Sequence, residues 1–165
     1  MTRAELVEND ALFDALETGV VKRYITDFGT EELLNKPNVT VFPHVGGSTS
    51  EAELNCAIMA AQTIRRFMET GEIVNSVNFP RVQQVLSAPY RITLINKNVP
   101  NIVARISTAV SDFNINIDNI INRSKGEYAY TLLDLDETDK SKIDELVAKF
   151  EASDNIVRVR LIKGK

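Results

Sequence analysis

YRITLINKNVPNIVARISTAV, residues 90–110, passes from the pattern of a strand to that of a helix. Residues 91–95 are mostly β-branched or apolar, which favours a strand. Pro100 then suits the first turn of a helix, where the missing N–H of proline has no partner to lose. Apolar side chains recur at helical spacing, at Ile102, Val103, Ile106, Ala109, Val110 and Phe113. The segment therefore predicts a strand followed by an amphipathic helix.

The residues after this segment repeat the same two kinds of element. Residues 115–121 and 128–135 have the composition of strands and are joined by a hairpin signal at the Lys-Gly pair 125–126. Thr138 can cap a second helix, and residues 156–162 alternate as a last strand. The order βαββαβ is that of the ferredoxin-like fold. Both helices must lie on one sheet face, so we expect the other face to be partly open and the edge strands to be covered most simply by a homodimer.

The first half of the chain has shorter patterns. A helix that begins after two glycines is the clearest element, with Ser48 or Ser50 as the residue that caps it and Gly71 as its end. The two prolines and weak apolar pattern of residues 80–89 indicate a domain boundary. The other expected elements are a helix over residues 6–17, a strand over 20–28, a buried strand over 39–42 and a short strand over 75–79.

The composition excludes several classes of protein. The chain has 165 residues, enough for one or two globular domains, and its net charge of −4 without a basic run argues against nucleic-acid binding. Its seven glycines form neither G-x-G-x-x-G nor a P-loop, so no complete nucleotide fingerprint is present. We expect a cytoplasmic protein with no membrane segment, no metal site and a buried thiol at its single cysteine, Cys56.

His44 is the strongest candidate for chemistry on the residues alone. It follows the strand over 39–42, and two glycines after it let the backbone and a ligand approach closely. The helix N-terminus that comes next favours an anion. Glu31, in a loop before the same strand, can hold the imidazole in one tautomer. The alternative is that Glu31 is a solvated loop acid.

Three segments together carry a family resemblance. FPHVGGSTSEAELNCAIMAAQTIRRFMETGEIVNSVNFP (42–80), YITDFGTEELL (24–34) and the segment 90–110 resemble the C-terminal part of the phosphoglycerate dehydrogenases. These are NAD-dependent 2-hydroxyacid dehydrogenases with an ACT regulatory domain. The resemblance implies an α/β fold. Residues 1–80 would be the C-terminal part of the catalytic region, a remnant of a Rossmann-like cofactor domain with its crossover helix. Residues 81–89 would be a linker and residues 90–165 a ferredoxin-like βαββαβ ACT domain.

The resemblance also implies roles for individual residues. His44 corresponds to the acid–base histidine, Glu31 to the glutamate that pairs with it, and Arg3 to the arginine that grips the substrate carboxylate. His44 would take the hydroxyl proton of 3-phosphoglycerate while NAD receives the hydride, giving 3-phosphohydroxypyruvate in L-serine biosynthesis. The residues implied for NAD binding are Asp27, His44, Val45, Gly46 and Gly47.

The regulatory part is similar to domains that bind amino acids between paired copies. Asn96, Asn98 and Asn116 correspond to L-serine contacts, since an amide can donate to a carboxylate and accept from an ammonium. The alternative is that these asparagines shape turns. Asn101 and Asn114 stand where glycines are usual, and asparagine tolerates the left-handed conformation.

Two functions remain open from the sequence. The first is a portion of a phosphoglycerate dehydrogenase that is inactive alone, because the glycine-rich turn and the N-terminal substrate half are absent from the 165 residues. The second is a stand-alone ACT-type module that binds an amino acid.

Overall fold

A computed structural model describes residues 6–164 of the chain. These residues divide into two compact units, one reaching up to Ala57 and the other beginning at Ile58. Within the described range, no helix is both long enough and apolar enough to cross a membrane.

The N-terminal unit contains a small parallel sheet. Its elements before the long helix are α1 (Asn9–Glu17), β1 (Tyr24–Thr26), α2 (Glu31–Leu34) and β2 (Val39–Val41). β1 and β2 pair in parallel, with Thr26 opposite Val41. Both strands are shorter than predicted, and β2 is half-buried to exposed rather than buried. A sheet of two short strands buries little surface, so its side chains stay partly exposed.

The long helix α3 (Ser50–Thr70) ends where the sequence predicts, at Gly71, which adopts φ +72°. Its N-terminal hydrogen bond comes from Thr49, whose hydroxyl accepts from the Ala52 N–H at 3.1 Å, so the prediction of Ser48 or Ser50 as the cap is wrong by one residue. No residue of α3 is buried, and the predicted buried thiol of Cys56 is exposed. The apolar spacing of α3 was sufficient to predict the helix but not what covers it.

The C-terminal unit confirms the βαββαβ order. Its strands form one antiparallel sheet in the order β4-β5-β3-β6. The elements are β3 (Tyr90–Lys97), α4 (Ile102–Ser111), β4 (Asn116–Lys125), β5 (Tyr128–Asp136), α5 (Lys140–Glu151) and β6 (Ile156–Lys163). Helix α4 is flanked by the turns that the sequence suggests: Asn101 and Asn114 both adopt left-handed backbone conformations, with φ of +64° and +54°.

Both helices pack on the same sheet face, as predicted. Alternate residues of β3, Ile92 and Leu94, are fully buried there against the helices. The core on this face consists of Tyr90, Ile92, Leu94, Ile102, Ile106, Val110, Ile115, Leu133, Leu135, Ile143, Leu146 and Phe150. The cap of α5 is Asp139, which accepts from the Ser141 N–H at 2.9 Å, in place of the predicted Thr138.

The other sheet face is partly covered by this chain itself. Ile73 and Val82 exchange two backbone hydrogen bonds of 2.9 Å and pack against Tyr130 and Leu132. The predicted strand over 75–79 is not formed, because the chain turns between these two paired residues. Residues 58–89 therefore group with the C-terminal sheet rather than with the N-terminal unit.

Arg91 fixes this cover to the sheet through a buried network. Its guanidinium forms a two-bond ion pair with Asp134, with Nη2 to Oδ2 at 2.7 Å, and both side chains are almost fully buried. The remaining donors reach backbone carbonyls: Nη1 donates to Thr70 at 2.8 Å and to Gln84 at 2.9 Å, and Nη2 to Val85 at 3.2 Å. All five guanidinium N–H groups are thus used, which is the condition for burying this charge.

Candidate functional site

The candidate site lies at the carboxyl ends of the two parallel strands. Asp27 directly follows β1, and His44 comes three residues after the end of β2. Because β1 and β2 are in register, the residues after them meet at the same sheet edge. In open parallel sheets this edge is where ligands bind.

Asp27 and His44 form a hydrogen-bonded pair. Nδ1 of His44 lies 3.0 Å from Oδ2 of Asp27. The Asp27 side chain is 5% exposed and that of His44 is 56% exposed, so the carboxylate is inside and the imidazole faces outward. With Nδ1 donating to the carboxylate, the proton-accepting position of the neutral ring is Nε2. The pair can orient an imidazole to take a proton from a ligand and can stabilise the resulting cation.

The backbone around Asp27 supports this pair. The Thr26 hydroxyl accepts from the Phe28 N–H at 3.0 Å, which turns the chain directly after β1. The Phe28 ring then packs on the His44 ring with centroids 4.5 Å apart. Gly29 is required next, because a Cβ there would lie 2.7 Å from Cγ1 of Val41. The imidazole is therefore held by one hydrogen bond and one ring contact.

The expected partner of His44, Glu31, is not the one that the structure brings to it. Glu31 is the exposed first residue of α2, and within the described residues Asp27 supplies the carboxylate within 4 Å of the imidazole. The reason is that Asp27 directly follows a strand paired with β2, whereas Glu31 lies after the turn. A catalytic role for Glu31 stays a prediction. Arg3 lies outside the described residues.

Of the residues implied for NAD binding, Asp27 is buried and hydrogen-bonded to His44, and residues 44–47 form a loop after β2. Val45 is 53% exposed, and Gly46 and Gly47 form the turn that follows it. A dinucleotide site needs in addition a glycine-rich turn that brings the backbone to the pyrophosphate. No such turn is encoded in the 165 residues. The residues present therefore form a loop without such a turn, and NAD binding by them stays a prediction.

The three asparagines implied for an effector lie in different environments. Asn96 is fully buried, and its Oδ1 accepts from the Thr131 hydroxyl at 2.8 Å. Asn98 is exposed and donates to the Gly126 carbonyl at 3.1 Å, and Asn116 is exposed at the start of β4. Asn96 therefore has a structural hydrogen bond in the sheet. Effector binding by these residues stays a prediction.

The sequence reasoning did not identify two pairings. Asp27 as the partner of His44 could have been found from the strand ends, since each residue follows a strand of one parallel pair. The Arg91–Asp134 pair had a weaker signal: each of these charged residues lies in a strand that is otherwise mostly apolar. The sequence does not show which residues of β3 and β5 lie opposite each other, because α4 and β4 separate these strands along the chain.

Comparison with known proteins identifies relatives for most of the chain. No family model matches it. It is 33% identical over 139 residues to D-3-phosphoglycerate dehydrogenase 2 of Saccharomyces cerevisiae, covering 81% of this chain and 29% of the relative. It is 26% identical over 172 residues to D-3-phosphoglycerate dehydrogenase of Escherichia coli (strain K12), covering 98% of this chain and 42% of the relative. The chain thus spans less than half the length of these relatives.

Among solved structures, one match is to the ACT domain from GTP pyrophosphokinase of Chlorobium tepidum. It has 18% identity and a TM-score of 0.41, covering 44% of this chain and 95% of that chain. The strand order of the C-terminal unit itself gives the ferredoxin-like arrangement. The chain is therefore a relative of the D-3-phosphoglycerate dehydrogenases, matched over most of its own length, with a ferredoxin-like fold in its C-terminal part.

Proposed function

We propose that the chain is the C-terminal portion of a D-3-phosphoglycerate dehydrogenase and carries the acid–base histidine, His44. The complete enzyme would oxidise 3-phosphoglycerate to 3-phosphohydroxypyruvate with NAD, in L-serine biosynthesis. The observation that carries the proposal is the His44–Asp27 pair at the carboxyl ends of two parallel strands, in a chain related to these enzymes.

The geometry of the pair supports a role in proton transfer. Asp27 accepts the hydrogen bond from Nδ1 of His44, so Nε2 is left to take the proton of a substrate hydroxyl. As His44 becomes charged, the nearby carboxylate stabilises the imidazolium. NAD, bound by the complete enzyme, supplies hydride acceptance. In this chain the residues contribute proton transfer and the orientation of the ring.

The isolated chain is proposed to be inactive. Its residues fit one wall of the nicotinamide pocket, and they lack the glycine-rich turn that binds the pyrophosphate. A substrate that meets one wall of its pocket is held neither in position nor away from water.

The experiment is a fusion in which this chain replaces its matched region in the Escherichia coli relative. NADH formation from 3-phosphoglycerate is followed for the fusion, for this chain alone and for the rest of the relative alone. We expect turnover by the fusion only. Saturable turnover by this chain alone would contradict the proposed inactivity. A folded fusion that binds both NAD and 3-phosphoglycerate without turnover would contradict the proposed role of the chain.

Two carboxylate variants of the fusion test the pairing. Asp27→Asn keeps the size of the side chain but removes the charge beside His44, so kcat should fall. Glu31→Gln is the matched control, since Glu31 is exposed and forms no ion pair with His44 within 4 Å among the described residues. If Glu31→Gln lowers kcat more than Asp27→Asn does, the resemblance rather than this geometry identifies the partner of His44.

A second candidate is amino-acid binding by the C-terminal unit. Its favouring observation is that the βαββαβ unit has a complete buried core of its own between sheet and helices. We propose L-serine as the ligand, bound near Asn98 and Asn116 between two paired copies. Calorimetric titration of this chain with L-serine tests it, and no heat at millimolar ligand would count against serine binding there.

A further inference from the structure

A wide groove in the C-terminal unit is separate from the His44 site. Its volume is about 1210 Å³, and it lies between the second half of α3, the segment 72–86 and β6. Five cationic and two acidic side chains line it, a net charge of +3 in a chain whose net charge is −4. These side chains are Arg65, Arg66, Arg81, Arg160, Lys163, Glu69 and Glu72.

Some of these charges already have structural partners. Arg160 donates to the carbonyls of Phe67 and Met68 at the end of α3 and lies over the Phe67 ring at 5.0 Å. Nε of Arg65 donates to Glu69 at 3.0 Å within the same helix. Arg160 therefore links β6 to the end of α3 and places a positive charge on the groove wall.

The other charges leave an excess of positive potential. Glu72 is 12% exposed; its Oε1 accepts from the Gln84 N–H at 2.8 Å, and its Oε2 lies 3.5 Å from Nε of Arg66. Within residues 6–164, no carboxylate lies within 4 Å of a side-chain nitrogen of Arg81 or Lys163. Unpaired cations on the wall of a cleft concentrate the field and attract counter-ions.

We propose that this groove binds a small multivalent oxyanion, one with two or more phosphate or carboxylate groups. Arginine suits this ligand because its planar fork donates two parallel hydrogen bonds to either group, and lysine adds a point charge. The groove is large enough for several such groups, and a monovalent anion would engage one cation at a time. This binding site is independent of proton transfer at His44.

The test is calorimetric titration of the full chain with tripolyphosphate and, separately, with citrate. Arg81→Gln/Lys163→Gln removes two groove charges that have no ion pair. Arg105→Gln/Lys22→Gln removes one arginine and one lysine, both exposed and outside the groove, and so changes the net charge equally. We expect the groove variant to raise Kd about tenfold or more and the control to stay within about twofold.

The outcomes separate the ligand classes. Binding of tripolyphosphate alone assigns phosphate, and binding of citrate alone assigns carboxylate. Raising the salt from about 20 to about 300 mM should weaken either interaction, because these cations are exposed. Absence of heat with both anions, or an equal Kd for the groove variant and its control, would overturn the proposal. Urea unfolding of each variant checks that the fold is kept.

Discussion

Replacing Arg91 by methionine removes one partner of the buried ion pair and leaves the other in place. Asp134 would keep a charge at a position that is 1% exposed. The carbonyls of Thr70, Gln84 and Val85 would lose the donors that bind them. Both effects act on the C-terminal unit, because the sheet and the segment that covers it are held together by this side chain.

The expected loss follows from these contacts. Breaking a buried ion pair by removing one partner typically costs about 3–5 kcal/mol. The three carbonyls are partly buried, and water can reach them after local opening, so their lost hydrogen bonds add little to that cost. We therefore expect Arg91→Met to lower the free energy of unfolding by about 3–5 kcal/mol.

The assay is urea unfolding followed by far-ultraviolet circular dichroism. Arg105→Met is the matched control, since Arg105 is exposed on α4, and should change the stability by about 0.5 kcal/mol or less. The double variant Arg91→Met/Asp134→Leu removes both charges. Its loss of stability should be smaller, by about 2 kcal/mol or more, than the sum of the losses of its two single variants. A loss below about 1 kcal/mol for Arg91→Met would refute the reasoning.

Three further substitutions test other close contacts. Gly71→Ala should lower the free energy of unfolding by about 2–4 kcal/mol, because the backbone there is left-handed and a Cβ would lie 2.5 Å from a neighbouring side chain. Its control, Gly126→Ala, has the same backbone strain in open space and should lower it by about 1 kcal/mol. Tyr130→Phe should cost about 1–2 kcal/mol, because the buried hydroxyl donates to a backbone carbonyl at 2.7 Å, and Tyr128→Phe, at an exposed site, should be near neutral. Urea unfolding measures all four. Two backbone N–H groups and a lysine lower the pKa of Glu137 to about 2. Its stabilising effect is therefore present above pH 4.5 and is lost as the pH falls toward 2. The difference in stability between the unmodified chain and Glu137→Gln should shrink over that range, and a constant difference would contradict this.

The C-terminal fold could be predicted because its signals are local. The strand–helix segment 90–110, the hairpin at 125–126 and the apolar spacing of both helices each report on neighbouring residues, and together they fix the βαββαβ order. The cap of α5 was misplaced by one residue because Thr138 and Asp139 both have a capping side chain, and only the backbone decides between them.

The cover on the second sheet face could not be predicted for the opposite reason. Ile73 and Val82 pack against residues about fifty positions further along the chain, and no local pattern reports such contacts. The same limit applies to the candidate site: His44 was identifiable from its neighbours, but its partner depends on the pairing of β1 with β2. Glu31 and Asp27 were both acids near the right strand, and the register places Asp27 beside the imidazole.

The most direct measurement is kcat for NADH formation by the Escherichia coli fusion that carries His44→Gln. Glutamine can still hydrogen-bond to Asp27 but cannot take a proton, so we predict that kcat falls by about 10²- to 10⁴-fold while the fusion keeps its fold. A kcat within about threefold of the unmodified fusion would contradict the assignment of His44 as the acid–base group.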